Sequence, residues 1–249
     1  MRDCDYSEAR KSIYVLFIVL LLITVFYLLA TLFISMGYES YRASVQASEA
    51  AAEPKQVFVI DAGHGGEDPG AYAGDLYEKD VNLKVALMLA QYLNANGFET
   101  ALTRTEDKML YGDGNENRKK YYDLLNRVLN AESYGNAVFI SIHMNKFPAE
   151  SCRGIQTFYS GNNPLSKTLA ESLQQSAAVL QPWNKRKIKD PDDTIFLLER
   201  LKMPAVLVEC GFLSNPEEAK LLSDDEYLKK LALTVYLGIT GYTAGEGNA

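Results

Sequence analysis

The sequence predicts an α/β domain, a mostly parallel twisted sheet of about six strands with helices on both faces, behind one N-terminal transmembrane helix. Three observations predict it. Apolar runs at Val57–Ile60, Ala137–Ile142 and Ala205–Val208 have the length of buried strands. Longer stretches with helical apolar spacing alternate with them. Ile13–Met36 is apolar and carries no charge over a length that suits a bilayer-spanning helix.

Residues 1–12 form a short tail with Arg2, Arg10 and Lys11, while only Arg42 follows the apolar run closely. The positive-inside tendency places this tail in the cytoplasm and the rest outside. The run is longer than the apolar region of a cleaved signal, so residues 13–36 read as a signal-anchor. Small residues around Ala43–Ala47 keep cleavage, and hence secretion, open. Residues 37–56 are rich in Ala, Ser and Glu, lack apolar periodicity and read as a linker. The domain spans residues 57–243, and residues 244–249 read as a flexible tail.

The first strand, Val57–Ile60, runs into Asp61 and then Gly63, His64, Gly65 and Gly66. Glycines there allow a sharp turn and leave room around the imidazole. Val81, Val85, Leu89 and Leu93 mark a helix that Asn96-Gly97 ends, with Glu78 at its start. On spacing alone Glu78 is better read as a dipole-favoured cap than as a metal ligand. Thr100–Thr103 reads as the second strand, ending at Arg104, which either contacts substrate or pairs with a neighbouring acid. In the Tyr111–Asn117 loop, Asp113, Asn115 and Asn117 echo a calcium loop, but Arg118 stands where that motif needs glycine. Arg118–Glu132 reads as a helix with Leu124, Leu125, Val128 and Leu129 inward.

Ala137–His143 is the third strand and Gly154–Tyr159 the fourth. Pro164–Leu180 reads as a helix. The polar stretch Gln181–Asp193 follows, its Lys185, Arg186, Lys187 and Lys189 either touching anionic wall polymers or simply solvated. Ile195–Leu198 reads as a short strand or edge and Ala205–Glu209 as a central strand. Asn215-Pro216 opens a helical turn, and Leu228–Tyr242 is a final helix packing on the sheet.

The chain has two histidines, and both follow predicted strands at their carboxyl ends. Open α/β sheets place their sites at that rim. If the strands are parallel neighbours, His64, His143 and Glu209 converge there, as a catalytic zinc site requires. Asn145 follows His143 closely, and a loop-turn role suits it as well as one in binding substrate amides.

The stretches DAGHGGEDPGA, YEKDVN, SIHMN and VECGFLSN resemble the zinc-dependent N-acetylmuramoyl-L-alanine amidases (amidase type 3) over about Val57 to Tyr242. Within that family the chain looks most like the spore-cortex, germination-specific amidases. The resemblance implies hydrolysis of the amide between the lactyl group of N-acetylmuramic acid and L-alanine in peptidoglycan. It makes Glu78 a zinc ligand with His64 and His143, Glu209 the catalytic carboxylate, and Zn2+ the cofactor, one per chain. It matches Asn145 to the asparagine that follows the ligand histidine. It implies work alongside a deacetylase that forms muramic-δ-lactam, and leaves open a protein activator or lipoprotein partner. Two departures, Ala62 for a frequent proline and Met144 for a residue often small or aliphatic, are expected to touch no ligand.

Composition narrows the alternatives. A formal net charge of −7 and a pI near 5.0 argue against a nucleic-acid binder. Cys4, Cys152 and Cys210 form no CxxC pair, and a Cys152–Cys210 disulfide stays open against free thiols. No GxSxG elbow occurs. Two other readings remain: a zinc peptidase of the wall, of carboxypeptidase type, and a catalytically silent wall-binding scaffold.

Overall fold

The structure, a computed structural model, describes residues 3–50, 55–112, 114–191 and 194–246. Residues 51–54, Asp113 and Asp193, named above in the linker and in two loops, lie outside them, as do residues 247–249. The chain divides into two units, Met1–Glu53 and Pro54–Ala249.

The first unit is one helix, α1 (Asp3–Ala50). Its segment Arg10–Ser44 is long and apolar enough to cross a membrane. Thr24, Thr31 and Ser35 donate their hydroxyls to carbonyls three residues back, so these polar groups need no water. The expected linker is helical as far as Ala50. After Gly37 no glycine or proline interrupts the chain before Pro54, and Ala, Glu, Arg and Gln readily extend a helix already nucleated.

The second unit runs β1 (Val57–Ala62), β2 (Tyr72–Ala73), β3 (Leu76–Tyr77), α2 (Glu78–Ala95), β4 (Glu99–Leu102), α3 (Lys119–Glu132), β5 (Ala137–Asn145) and β6 (Gln156–Tyr159). It continues with α4 (Pro164–Leu180), α5 (Phe196–Arg200), β7 (Ala205–Phe212), α6 (Pro216–Leu222) and α7 (Asp225–Glu246). A five-stranded sheet has the order β4-β1-β5-β7-β6, parallel except for β6 at one edge. β2 and β3 form a separate small hairpin.

Both faces of the sheet are covered. Phe58, Ile60, Val138, Ile140, Val206 and Val208 pack in one core with α2, α4 and α7. Val59, Phe139 and Leu207 face α3 and α5 in the other. Burial on both faces is why these strands read as continuous apolar runs.

The sheet has five strands rather than about six, because Ile195–Leu198 is not a strand. Phe196–Arg200 forms α5, with Leu197 and Leu198 buried against the second core. A four-residue apolar run suits a buried helical turn as well as a strand, and the outer edge of β6 pairs instead with Lys189, which exchanges backbone hydrogen bonds with Thr157 and Tyr159. The inward face of α3 also differs. Asp123, Arg127, Val128 and Ala131 are buried, Leu124 and Leu125 are half-buried, and Leu129 is 54% exposed. An ion-pair network beneath the sheet's rim claims that face.

Candidate metal centre

β1 ends in a turn that its glycines make possible. His64 sits at φ 63°, a left-handed conformation that histidine tolerates better than most non-glycine residues. The turn is held from beneath by buried guanidinium groups. Arg127 Nη1 donates to Ala62 O at 2.8 Å and Nη2 to His64 O at 2.7 Å. Arg104 donates to the carbonyls of Ala62, Gly63, Lys79 and Glu106 at 2.7–3.1 Å. Arg104 is 2% exposed. The sequence offered it to substrate or to an acid; its donors serve backbone carbonyls instead, so it braces the loop.

The hairpin then brings the chain to Glu78, the first residue of α2. Glu78 does not cap its helix. Its Oε2 accepts Ala71 N–H at 2.7 Å, and its Oε1 accepts Met144 N–H at 3.1 Å, so Met144 does touch a ligand, through its backbone rather than its side chain. The same Oε1 faces His143 Nδ1 at 2.9 Å and His64 Nε2 at 3.2 Å. Burial alone would raise the carboxyl's pKa; hydrogen bonds from both imidazoles overcome it and hold Glu78 well below the usual carboxylate range.

His64, Glu78 and His143 thus offer one ligand atom each, all within 4.8 Å of one another, a group that could hold a metal ion. The two rings lie 5.0 Å apart at 72°. The donor chemistry, two imidazoles and a carboxylate, is that of a three-ligand catalytic zinc site. The surroundings are shaped to it. A Cβ at Gly63 would lie 2.2 Å from His143 Nε2, and one at Gly70 would lie 2.5 Å from Glu78 Oε2. Glycine is therefore required at both for this cluster to form.

Asp68, which sequence reasoning passed over, completes the group from behind. Its Oδ2 takes His64 Nδ1 at 2.8 Å and also meets Lys120 Nζ. A carboxylate on Nδ1 fixes the tautomer and turns Nε2 towards Glu78. Burial would lower the His64 pKa, but Asp68 and Glu78 push it up to about 9. A carboxylate four residues past a predicted ligand histidine was the signal available. Asn82, one turn beyond Glu78, donates to Gly63 O at 3.1 Å and lies fully buried.

Glu209 lies on β7 directly beside His143 in the register of β5. Its Oε2 is buried and has no hydrogen-bond partner among the described residues. Burial, and then the negative charge of Glu78, push its carboxyl up to about 8. Raised carboxyl groups without partners cluster at sites that move protons. Asn145 closes β5, where its carbonyl accepts Leu213 N–H at 2.8 Å and its half-buried side-chain amide has no hydrogen-bond partner among the described residues. Cys152 and Cys210 are free thiols.

A family model described as N-acetylmuramoyl-L-alanine amidase matches residues 58–241. The germination-specific N-acetylmuramoyl-L-alanine amidase of Bacillus subtilis (strain 168) is 36% identical over 195 residues, covering 78% of this chain and 82% of the relative. The solved structure of the CwlD amidase from Clostridioides difficile, in complex with the GerS lipoprotein, is 39% identical with a TM-score of 0.72, covering 76% and 98% of the two chains. The catalytic domain of CwlV, an N-acetylmuramoyl-L-alanine amidase from Bacillus (Paenibacillus) polymyxa var. colistinus, is 32% identical with a TM-score of 0.64, covering 76% and 98%.

Proposed function

The chain belongs to the N-acetylmuramoyl-L-alanine amidase family, and from that premise we propose that His64, Glu78 and His143 hold one zinc ion and that Glu209 is its catalytic carboxylate. The family's reaction is hydrolysis of the amide that joins the lactyl group of muramic acid to L-alanine in peptidoglycan. One observation carries the assignment of residues: three ligand atoms within 4.8 Å, with an unpartnered carboxylate oxygen on the adjacent strand.

Zinc held there would supply Lewis acidity towards the amide oxygen and a water acidic enough to attack near neutral pH. The chain's own residues do the rest. Asp68 keeps the proton of His64 on Nδ1, which leaves Nε2 as a lone pair. The backbone N–H groups of Ala71 and Met144 hold the Glu78 carboxylate in place. Glu209 takes a proton from the attacking water and passes it to the departing nitrogen of L-alanine. Burial raises its carboxyl, which suits the proton-donating half of that exchange. The side-chain amide of Asn145, without a hydrogen-bond partner among the described residues, would bind a substrate amide.

The cellular setting extends the same reading. The B. subtilis relative is germination-specific, which supports action on spore-cortex peptidoglycan. There this amidase would act alongside a deacetylase that forms muramic-δ-lactam. The C. difficile structure contains a lipoprotein, which supports a lipoprotein partner here. The apolar span of α1 supports a membrane anchor with the catalytic domain outside the cytoplasm.

The test uses the full chain in detergent, loaded with zinc and incubated with vegetative and cortex peptidoglycan. Mass spectrometry of released ends is expected to find stem peptides beginning in L-alanine, and none from Glu209→Gln. Release of terminal D-alanine instead would replace the amidase with a wall peptidase. Bound zinc with neither product would point to a required partner, whereas neither product and no bound zinc would leave a silent scaffold.

A further inference from the structure

The basic loop noted in the sequence builds a pocket. Cys152, Arg153, Trp183, Lys185 and Arg186 line a hollow of about 380 Å3. Its cations are not all solvated ornaments. The Arg153 guanidinium lies 4.4 Å over the Trp183 ring and pairs with Glu217 at 3.1 Å. Arg186 is fixed in place: Nε donates to Arg153 O at 2.7 Å, Nη1 donates to Gln156 Oε1 at 2.9 Å, and its plane covers Phe212 at 4.4 Å. Among the described residues nothing takes a hydrogen bond from Arg186 Nη2 or from the exposed Lys185 ammonium.

The pocket's position ties it to the metal group. Gln156, which Arg186 grips, is the register partner of Glu209 across β6 and β7. Phe212, beneath Arg186, ends the strand that carries Glu209. The pocket therefore lies on the Glu209 side of the three-ligand cluster. It is also cationic in a chain whose net charge is −7, with Lys185, Arg186, Lys187 and Lys189 in one short run. A positioned guanidinium beside a free ammonium suits a carboxylate better than any neutral group.

We propose that this pocket binds a carboxylate of the substrate's stem peptide, so that the peptide leaves the scissile amide on the Glu209 side. The inference rests on the amidase reading above. The stem peptide is the anionic part of that substrate, because the lactyl carboxyl of the sugar is consumed in the amide itself. Trp183, 44% exposed, supplies an apolar wall for the aliphatic part of the same residue.

The experiment is a calorimetric titration of the zinc-loaded full chain with L-alanyl-γ-D-glutamyl-diaminopimelate, beside the same peptide with its carboxylates amidated. Amidation is expected to weaken binding about tenfold, the loss of one charge-assisted hydrogen bond. Lys185→Gln and Arg186→Gln are each expected to weaken the acid peptide by a similar factor and to leave the amide unchanged. Arg186→Lys is expected to recover part of the loss. Lys185 is exposed, so its variant folds even if Arg186→Gln does not. Equal affinity for acid and amide overturns the proposal. So does unchanged acid binding in Lys185→Gln, which would give the loop to an acidic partner protein or to solvent. Binding is read apart from cleavage. A chain that shows this carboxylate dependence keeps the pocket whether or not it cleaves peptidoglycan alone, whereas cleavage without the dependence keeps the amidase reading and overturns the pocket.

Discussion

His143 and Glu209 are register partners on adjacent parallel strands, so the sheet itself sets an imidazole beside a carboxylate. Their spacing does not depend on a mobile loop. The partner roles differ because the environments differ: His143 faces Glu78, while Glu209 keeps a buried oxygen with no partner.

Glu209→Gln keeps the shape and removes the proton carrier. The loss of a positioned acid–base group is expected to lower the rate of stem-peptide release by roughly 10²–10⁴-fold. Zinc content is expected to stay at that of the parent, since Glu209 is not one of the three clustered ligands. Release within tenfold of the parent would remove Glu209 from the chemistry.

Asp68→Asn tests the support behind His64. The amide cannot match a carboxylate as acceptor for Nδ1–H, and it also loses the Lys120 pair. Zinc affinity is expected to fall roughly 10–100-fold, as for other carboxylates behind a ligand histidine. Competition with a chromophoric chelator reads this directly. An unchanged dissociation constant would make Asp68 a loop brace only.

These residues were not equally legible in the sequence. His64, His143 and Glu209 stood at the ends of apolar strands, and a parallel sheet has to bring such ends to one rim. Glu78 was legible only through the motif around it, because an acid at a helix start has a second ordinary explanation. Asp68 and Arg127 left weaker signals. Apolar spacing turns Leu124, Leu125, Val128 and Leu129 of α3 inward, whereas the fold buries Asp123 and Arg127 there and leaves Leu129 exposed. Arg104 shows the same limit: the sequence leaves it between substrate and a neighbouring acid, and the fold buries it on four backbone carbonyls instead. Ion networks under a rim need tertiary partners from β1, α3 and β5 together, and no local spacing encodes them.

Zinc uptake is expected to follow pH through His64. Without metal its pKa is raised to about 9, so the imidazole carries a proton at neutral pH that zinc must displace. Affinity should therefore rise about tenfold per pH unit up to about pH 9 and level off above it. Metal-free stability should run the other way. A raised His64 stabilises below its ordinary 6.5 and loses that contribution as pH rises through about 9. Glu209 has the same sign: its fold-imposed rise to about 8 makes ionisation costly, so stability falls as pH climbs from about 4.5 to 8. Urea titrations with and without zinc check both slopes. A metal-free domain that gains stability between pH 6 and 9 would contradict them.

Arg127→Met is expected to unfold the rim rather than merely weaken it. Arg127 is 1% exposed and donates to Asp61 at 2.6 Å, to Asp123 at 3.0 Å and to the His64 carbonyl. Asp61 is fully buried and also takes the hydroxyls of Thr103 and Ser141. Burial would raise its pKa, but Arg127 and these donors hold it below the usual range. Removing the guanidinium leaves two acids uncompensated in the interior, a change expected to cost about 3–5 kcal/mol. A methionine of similar length fills the space, so a cavity cannot account for the loss. The double variant Asp61→Asn with Arg127→Met should recover part of it, because one of the two stranded charges is gone. The exposed pair Lys229–Glu226 serves as the control, where Lys229→Met should leave the denaturation midpoint in place. The acid limb adds a second check: a depressed Asp61 contributes stability above about 3.8 that is lost as pH falls through its folded value. Arg127→Met should flatten that limb. A midpoint shift no larger than that of Lys229→Met would mean that the buried network adds nothing, and that His64 holds its left-handed turn without it.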